Sequence, residues 1–354
     1  MTSACGGGSG SGGSGGTGTG GSGGTGTTTS SGPACDGEPA TLDLAGTWAA
    51  YGALTVSIVG APGSLVSICP ADQEGQAFLT LFVTIGQDAA DPTKLQDVKA
   101  TLCAIDLPAV GAVAGTCDPG SMAAVTTQIT VPDALLDALP TLAANVVGGT
   151  LSGESKGADV SLEQFVVTAG ATTKGAALPK WDVQQSGCTA GDIGHSSTCE
   201  ATCVNDCAAL VDDDKDGFPG VTLGVCGRAQ GEEQKPCNVD DPSQPGVTIQ
   251  GRAFVALEVN PQFSGKAESS CKLDGSVTTD VVYQVVGADV TLSSSEIPVA
   301  SAIQALPTLV VKPDQSKLTM VRVDGKYATP DLKIDPADPL TSCQTVVAKR
   351  NELF

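Results

Sequence analysis

The side chains whose types and spacing could do chemistry lie in Asp212-Asp213-Asp214-Lys215-Asp216-Gly217-Phe218. Carboxylates at the alternate positions Asp212, Asp214 and Asp216 converge on one hard cation when such a loop curls, and Gly217 permits the sharp turn that follows. The Phe218 carbonyl then falls where these loops offer a backbone oxygen. The twelfth position of the loop, counting Asp212 as the first, is Leu223 rather than a bidentate Glu, so another segment must close the coordination sphere. The oxygen-rich stretch Cys237-Asn238-Val239-Asp240-Asp241-Pro242-Ser243-Gln244-Pro245-Gly246 supplies Asn238, Asp240 and Asp241 for that purpose. Calcium is the ion this pattern predicts, and a solvated acidic turn is the alternative.

Other chemistry finds no support. His195 is the single histidine, so a triad or a His-based metal hydrolase would have to run through it. His195, Cys199, Cys203 and Cys207 repeat every four residues, but on a helix they stretch over about 18 Å and cannot meet at one zinc ion. Disulfides to Cys188, Cys226 and Cys237 are the simpler account of those cysteines. Gly12-Gly13-Ser14-Gly15-Gly16 fits Gly-x-Ser-x-Gly, yet it sits in a low-complexity tract rather than at a strand-to-helix elbow. The formal net charge of -21 repels phosphate backbones and anionic membrane faces, which argues against nucleic acid as a partner. The chain is expected not to be an enzyme.

Taken together, Asp212 to Phe218 and Cys237 to Gly246 resemble a metal-binding repeat common in bacterial secreted proteins. That repeat joins an Asp-x-Asp-x-Asp-Gly-Phe/Tyr loop to an Asp-Cys-Asp-Asp segment and a Pro-Gly ending. Asp240, Asp241, Pro245 and Gly246 match it, while Asn238 and Val239 replace its first Asp and its Cys. The resemblance implies calcium held by both segments in a structural role.

Compartment is read from the 13 cysteines, which an oxidising exterior converts into crosslinks. Ala4-Cys5-Gly6-Gly7-Gly8 resembles the junction of bacterial lipoproteins, in which the Cys is acylated and followed by a flexible Gly/Ser tether. The resemblance implies Cys5 as the lipidation site and a membrane contact through that anchor only. It also implies an outer-membrane or cell-surface location, with the export signal expected upstream of Met1. Gly6 to Ser31 is nearly pure Gly, Ser and Thr, a composition that buries too little apolar surface to order itself.

The elements that must position the acidic loop read as strands: Leu54–Val59, Ala77–Ile85, Val160–Val167, Ala253–Val259, Thr278–Val286 and Leu318–Val323. Pro132–Leu139, Thr198–Leu210 and Val299–Leu306 read as helices. Ala138-Leu139-Pro140-Thr141-Leu142 recurs as Ala305-Leu306-Pro307-Thr308-Leu309, which suggests two related modules. The expected fold is mainly β: two antiparallel sandwich-like or barrel-like modules at 40–178 and 246–354, a Cys-rich calcium-loop insert at 179–245, and a disordered tether at 1–39. With Cys5 set aside and Cys35 counted with the first module, these units hold four, six and two cysteines, an even number each, and Cys271 pairs with Cys343 if bridges stay within them.

The function expected is that of a calcium-stabilised, surface-anchored structural or interaction protein whose protein or ligand partner the sequence does not identify. The second reading is a carrier. Gly46-Thr47-Trp48 resembles the Gly-x-Trp opening of lipocalin-like barrels, which implies an interior for a small apolar ligand.

Overall fold

A computed structural model describes residues 35–354 apart from 60–65, 69–71, 109, 115–123, 143, 230–246, 293 and 306–307. The predicted Cys5, the Gly/Ser/Thr tract, Cys69, Cys117, Cys237, Asn238, Asp240 and Asp241 therefore lie outside the described residues.

The first half of the chain supplies strands β1 (Gly46–Val59), β2 (Val66–Ile68), β3 (Asp72–Gln87), β4 (Lys94–Asp106), β5 (Val110–Ala114), β6 (Ala124–Thr130), β7 (Val147–Leu151), β8 (Ala158–Leu162) and β9 (Val167–Ala169). The second supplies β10 (Val221–Ala229), β11 (Val247–Ser269), β12 (Lys272–Leu292), β13 (Ser295–Glu296), β14 (Thr308–Val311) and β15 (Lys317–Arg322). Among the described residues three α-helices accompany them: α1 (Asp133–Ala138), α2 (Val299–Ala305) and α3 (Pro339–Leu353). The mainly β, antiparallel expectation holds. Strands from 40–178 and from 246–354 join one sheet, because β1 pairs with β15 and β8 with β11.

Hydrogen bonding followed from β12 through β15, β1, β3, β4, β7, β8 and β11 returns to β12, so eight antiparallel strands close a ring. Closure leaves these strands without unpaired edges. In β1 the inward face carries Trp48, Ala50, Leu54, Val56 and Ile58, all buried, alternating with outward residues as the pleat demands. The outward Ala49 and Phe82 are buried as well, because α3 lies over this wall with Cys343, Val346 and Leu353. The β11–β12 hairpin outgrows the ring, and its far end carries β10 and then β6. A second hydrophobic cluster there packs the Cys-rich segment and α2 against the sheet around the fully buried Phe254.

One end of the ring is sealed. Trp48 is wholly buried and donates from its indole N–H to Leu44 O at 3.0 Å. Above it sits Arg322, also wholly buried, its guanidinium 5.0 Å from the Trp48 ring and 5.4 Å from that of Tyr327. Arg322 donates to Ser270 O (2.7 Å), Ala45 O (3.0 Å), Asp43 O and Asp324 Oδ2 (3.0 Å), which satisfies the charge out of water. Gly46 is required beneath this pair, since a Cβ there would lie 2.1 Å from Asp324 Oδ2 and 2.6 Å from Arg322 Nη1. That contact is the physical reason for glycine in Gly46-Thr47-Trp48.

Several expectations are corrected. Cys271 pairs with Cys35, and Cys343 with Cys103, rather than with each other. Sheet pairing brings the 270–271 turn beside the first described residues, and α3 docks on β4. The predicted helix Thr198–Leu210 is instead turns and a short 3-10 segment, with Cys199 bonded to Cys207 and Cys203 to Cys188. Eight residues of α-helix would hold two Cα atoms about 12 Å apart, whereas those of Cys199 and Cys207 lie 5.7 Å apart. The run Val160–Val167 breaks into β8 and β9 because Phe165 turns inward and is buried. Helix α3 was not foreseen. Its sequence signal is Asp338 before Pro339, and the Asp338 side chain accepts from Thr341 N at 3.3 Å.

Candidate functional site

The acidic loop is held by hydrogen bonds to its own backbone and to the 170 turn. At its start Val211 N donates to Gly170 O at 3.1 Å, and Asp213 Oδ2 accepts from Gly170 N at 2.7 Å. Asp213 thus faces away from the cluster as an anchor. Asp212 curls the loop by accepting from Asp216 N (3.2 Å) and Gly217 N (3.1 Å). Lys215 and Gly217 both take left-handed backbone conformations, φ 57° and 89°. Asp216 accepts from Phe218 N at 2.9 Å and from the Thr222 hydroxyl. Phe218 stacks on Phe254 with centroids 4.4 Å apart, tying the loop to the second core.

Carboxylate oxygens of Asp212, Asp214 and Asp216 gather within 4.8 Å of one another. Asp214 is 6% exposed. Its Oδ2 accepts from Thr222 N at 2.8 Å, whereas Oδ1 is buried and has no hydrogen-bond partner among the described residues. Burial, with the charges of Asp216 and Asp212, pushes the Asp214 carboxyl up to about 6, against the pull of the Thr222 N–H. A buried, orphaned carboxylate oxygen among like charges fits a cation, which would supply the missing partner and relieve the repulsion. Three of the seven predicted ligand residues are therefore brought together, with Phe218 next in line, while Asn238, Asp240 and Asp241 lie outside the described residues. A second grouping, Cys188, Asp192 and Cys203, offers no thiolate because its two sulfurs are bonded to each other. His195 is exposed, and Cys199, Cys203 and Cys207 are all in disulfides, so the zinc alternative lapses.

A cavity of ≈ 240 Å³ lies inside the sheet. Its wall runs from the ring interior (Ala50, Val83, Phe263, Met320) to the second cluster (Leu139, Leu223, Val225, Val255), with further aliphatic residues from β4, β9, β12 and β14. Among the described residues of that lining the polar ones are Gln262, Thr279 and Tyr283, and none is Asp, Glu, Lys, Arg or His. An eight-stranded barrel is just wide enough for large side chains to fill it or for one small ligand. With aromatics at 3% of the chain, the inward positions are mostly Ala, Val and Leu, which leave part of the interior unfilled. No local pattern in the strands marks these residues as cavity rather than packed core, and the scarcity of aromatic residues is the one signal that could have.

No family, curated protein or solved structure matches this chain.

Proposed function

We propose that the protein is a non-enzymatic carrier of a small apolar molecule, stabilised by calcium and working in an oxidising compartment outside the cytoplasm. The apolar cavity carries this reading. At ≈ 240 Å³ it exceeds the roughly 150 Å³ at which a dry engineered cavity already admits benzene. Its apolar walls and few convergent polar groups are the usual lining of a small-molecule site. Four described disulfides support the compartment. Cys5 as a lipid anchor to the outer membrane or cell surface belongs to the same proposal, on the junction residues alone. Calcium is preferred to magnesium at the Asp212, Asp214 and Asp216 loop because a strongly hydrated ion that demands a tight octahedron suits a three-carboxylate loop poorly.

The test is titration of the disulfide-intact chain with the neutral fluorophore Nile red. Saturable binding near one site per chain is expected, and it should be lost in Ala50→Phe/Ala100→Phe, which fills the cavity from β1 and β4. A cooperative melt of that variant shows that the fold survives. Absence of saturable binding, or binding unchanged in the filled variant, overturns the carrier reading and leaves the purely structural one.

A further inference from the structure

We infer that the cavity takes an elongated, uncharged hydrocarbon with one weakly polar end, such as a long-chain alcohol, aldehyde or ester or an isoprenoid of that kind, the polar end lying at Gln262 and Thr279; this rests on the carrier reading above. Length follows from the lining, which is drawn from both hydrophobic clusters and not from one.

Neutrality follows from what an ionic head would meet. Among the described lining residues none is charged, and burying an unpaired carboxylate or ammonium costs several kcal/mol or more. The polar residues of the lining are confined to the β11–β12 hairpin. Gln262 is exposed, and Thr279 is half-buried opposite Pro261. Across this stretch, Ala256 to Ser264 and Ser276 to Gln284, the charged residues are Glu258 and Asp280. Neither lines the cavity, and Glu258 already accepts from Gly175 N and Asn260 Nδ2. An anionic head is therefore repelled by the local and the overall negative field, while an ammonium head finds no carboxylate among the described lining residues. A hydroxyl or carbonyl, by contrast, is matched by an amide and a hydroxyl. Tyr283, whose phenol burial pushes up to about 12, stays neutral at physiological pH and adds no charge.

The experiment displaces Nile red from the full disulfide-intact chain at pH 8 with decan-1-ol, decanoate or decylammonium. The alcohol should displace at a concentration about tenfold or more below either ion, the minimum expected from the cost of an unpaired buried charge. Gln262→Lys, at an exposed position the fold tolerates, should bring decanoate to within about twofold of the alcohol by supplying a flexible cation at that end. Equal or better displacement by either ion in the unmodified chain overturns this inference while the carrier reading stands. A Gln262→Lys chain in which decanoate remains about tenfold weaker overturns the placement of the polar end. Failure of Nile red to bind at all overturns both.

Discussion

Replacing Asp214 by Asn removes one negative charge from the acidic loop while keeping an oxygen for Thr222 N. In the metal-free fold the Asp214 carboxyl is raised from 3.8 to about 6, with burial as the main cause. At about 1.4 kcal/mol per pH unit this amounts to about 3 kcal/mol of disfavoured charge, and solvent around the exposed neighbours of the loop screens it to about 1–2 kcal/mol. The folded state holds this proton more tightly than the unfolded chain. The metal-free protein is therefore most stable, with respect to this group, below pH 4, and loses that stability as pH rises through 4 to 6. Asn does not titrate, so in chelator at pH 7.5 the variant should unfold at higher urea, by about 1–2 kcal/mol, and the two proteins should converge near pH 4. Calcium at one hundred times its dissociation constant should add about 2.7 kcal/mol to the wild type. Most of that increment should vanish in Asp214→Asn. Urea unfolding with disulfides intact, in chelator and in millimolar calcium, measures all four quantities. A variant no more stable than wild type in chelator at pH 7.5, or one that keeps the calcium increment, refutes the reasoning.

Three further outcomes are expected. Arg322→Met strands four acceptors, Ser270 O, Ala45 O, Asp43 O and Asp324 Oδ2, at the sealed end, and should cost about 3–5 kcal/mol, with a red shift of Trp48 emission in native conditions as the check. Opening the bridge between α3 and β4 in Cys103→Ser/Cys343→Ser removes a crosslink of sequence separation 240, worth up to about 5 kcal/mol in the chain-entropy account, and should expose Lys349 and Arg350 to trypsin; an unchanged digest contradicts it. Fatty-acid labelling of cells expressing the gene with its upstream region should mark the wild type and not Cys5→Ser, and equal labelling ends the anchor proposal.

Much of the acidic loop was legible because its geometry is local. Asp212, Asp214 and Asp216 are neighbours in sequence, and alternation plus Gly217 encodes the curl. What the spacing could not convey is that Asp213 is an anchor to Gly170 and that Asp214 is the buried member, since both depend on strands far away in the chain. Strand cores such as Ala77 to Ile85 and Thr278 to Val286 were readable from β-rich runs for the same local reason. Ring closure was not, because it is set by pairings such as Trp48 with Arg322, separated by most of the chain. Even cysteine counts per unit misled for that reason: parity holds equally well when Cys35 reaches Cys271 and Cys103 reaches Cys343. The i, i+4 cysteine spacing failed because covalent closure of Cys199 on Cys207 outweighs any helical preference of the residues between.

The two long-range disulfides have a consequence for biosynthesis. Cys188–Cys203 and Cys199–Cys207 span separations of 15 and 8, and can form as soon as their segment emerges. Cys35 and Cys103 must wait for partners 236 and 240 residues later, and β1 cannot complete its pairing until β15 arrives near the end of synthesis. During that interval two thiols and an unclosed sheet are available to wrong partners, and closing so many distant contacts at once is inherently slow. Maturation of this chain is therefore limited by its last 80 or so residues, and a thiol–disulfide isomerase that reopens premature pairings of Cys35 or Cys103 would speed it more than any aid to the early strands.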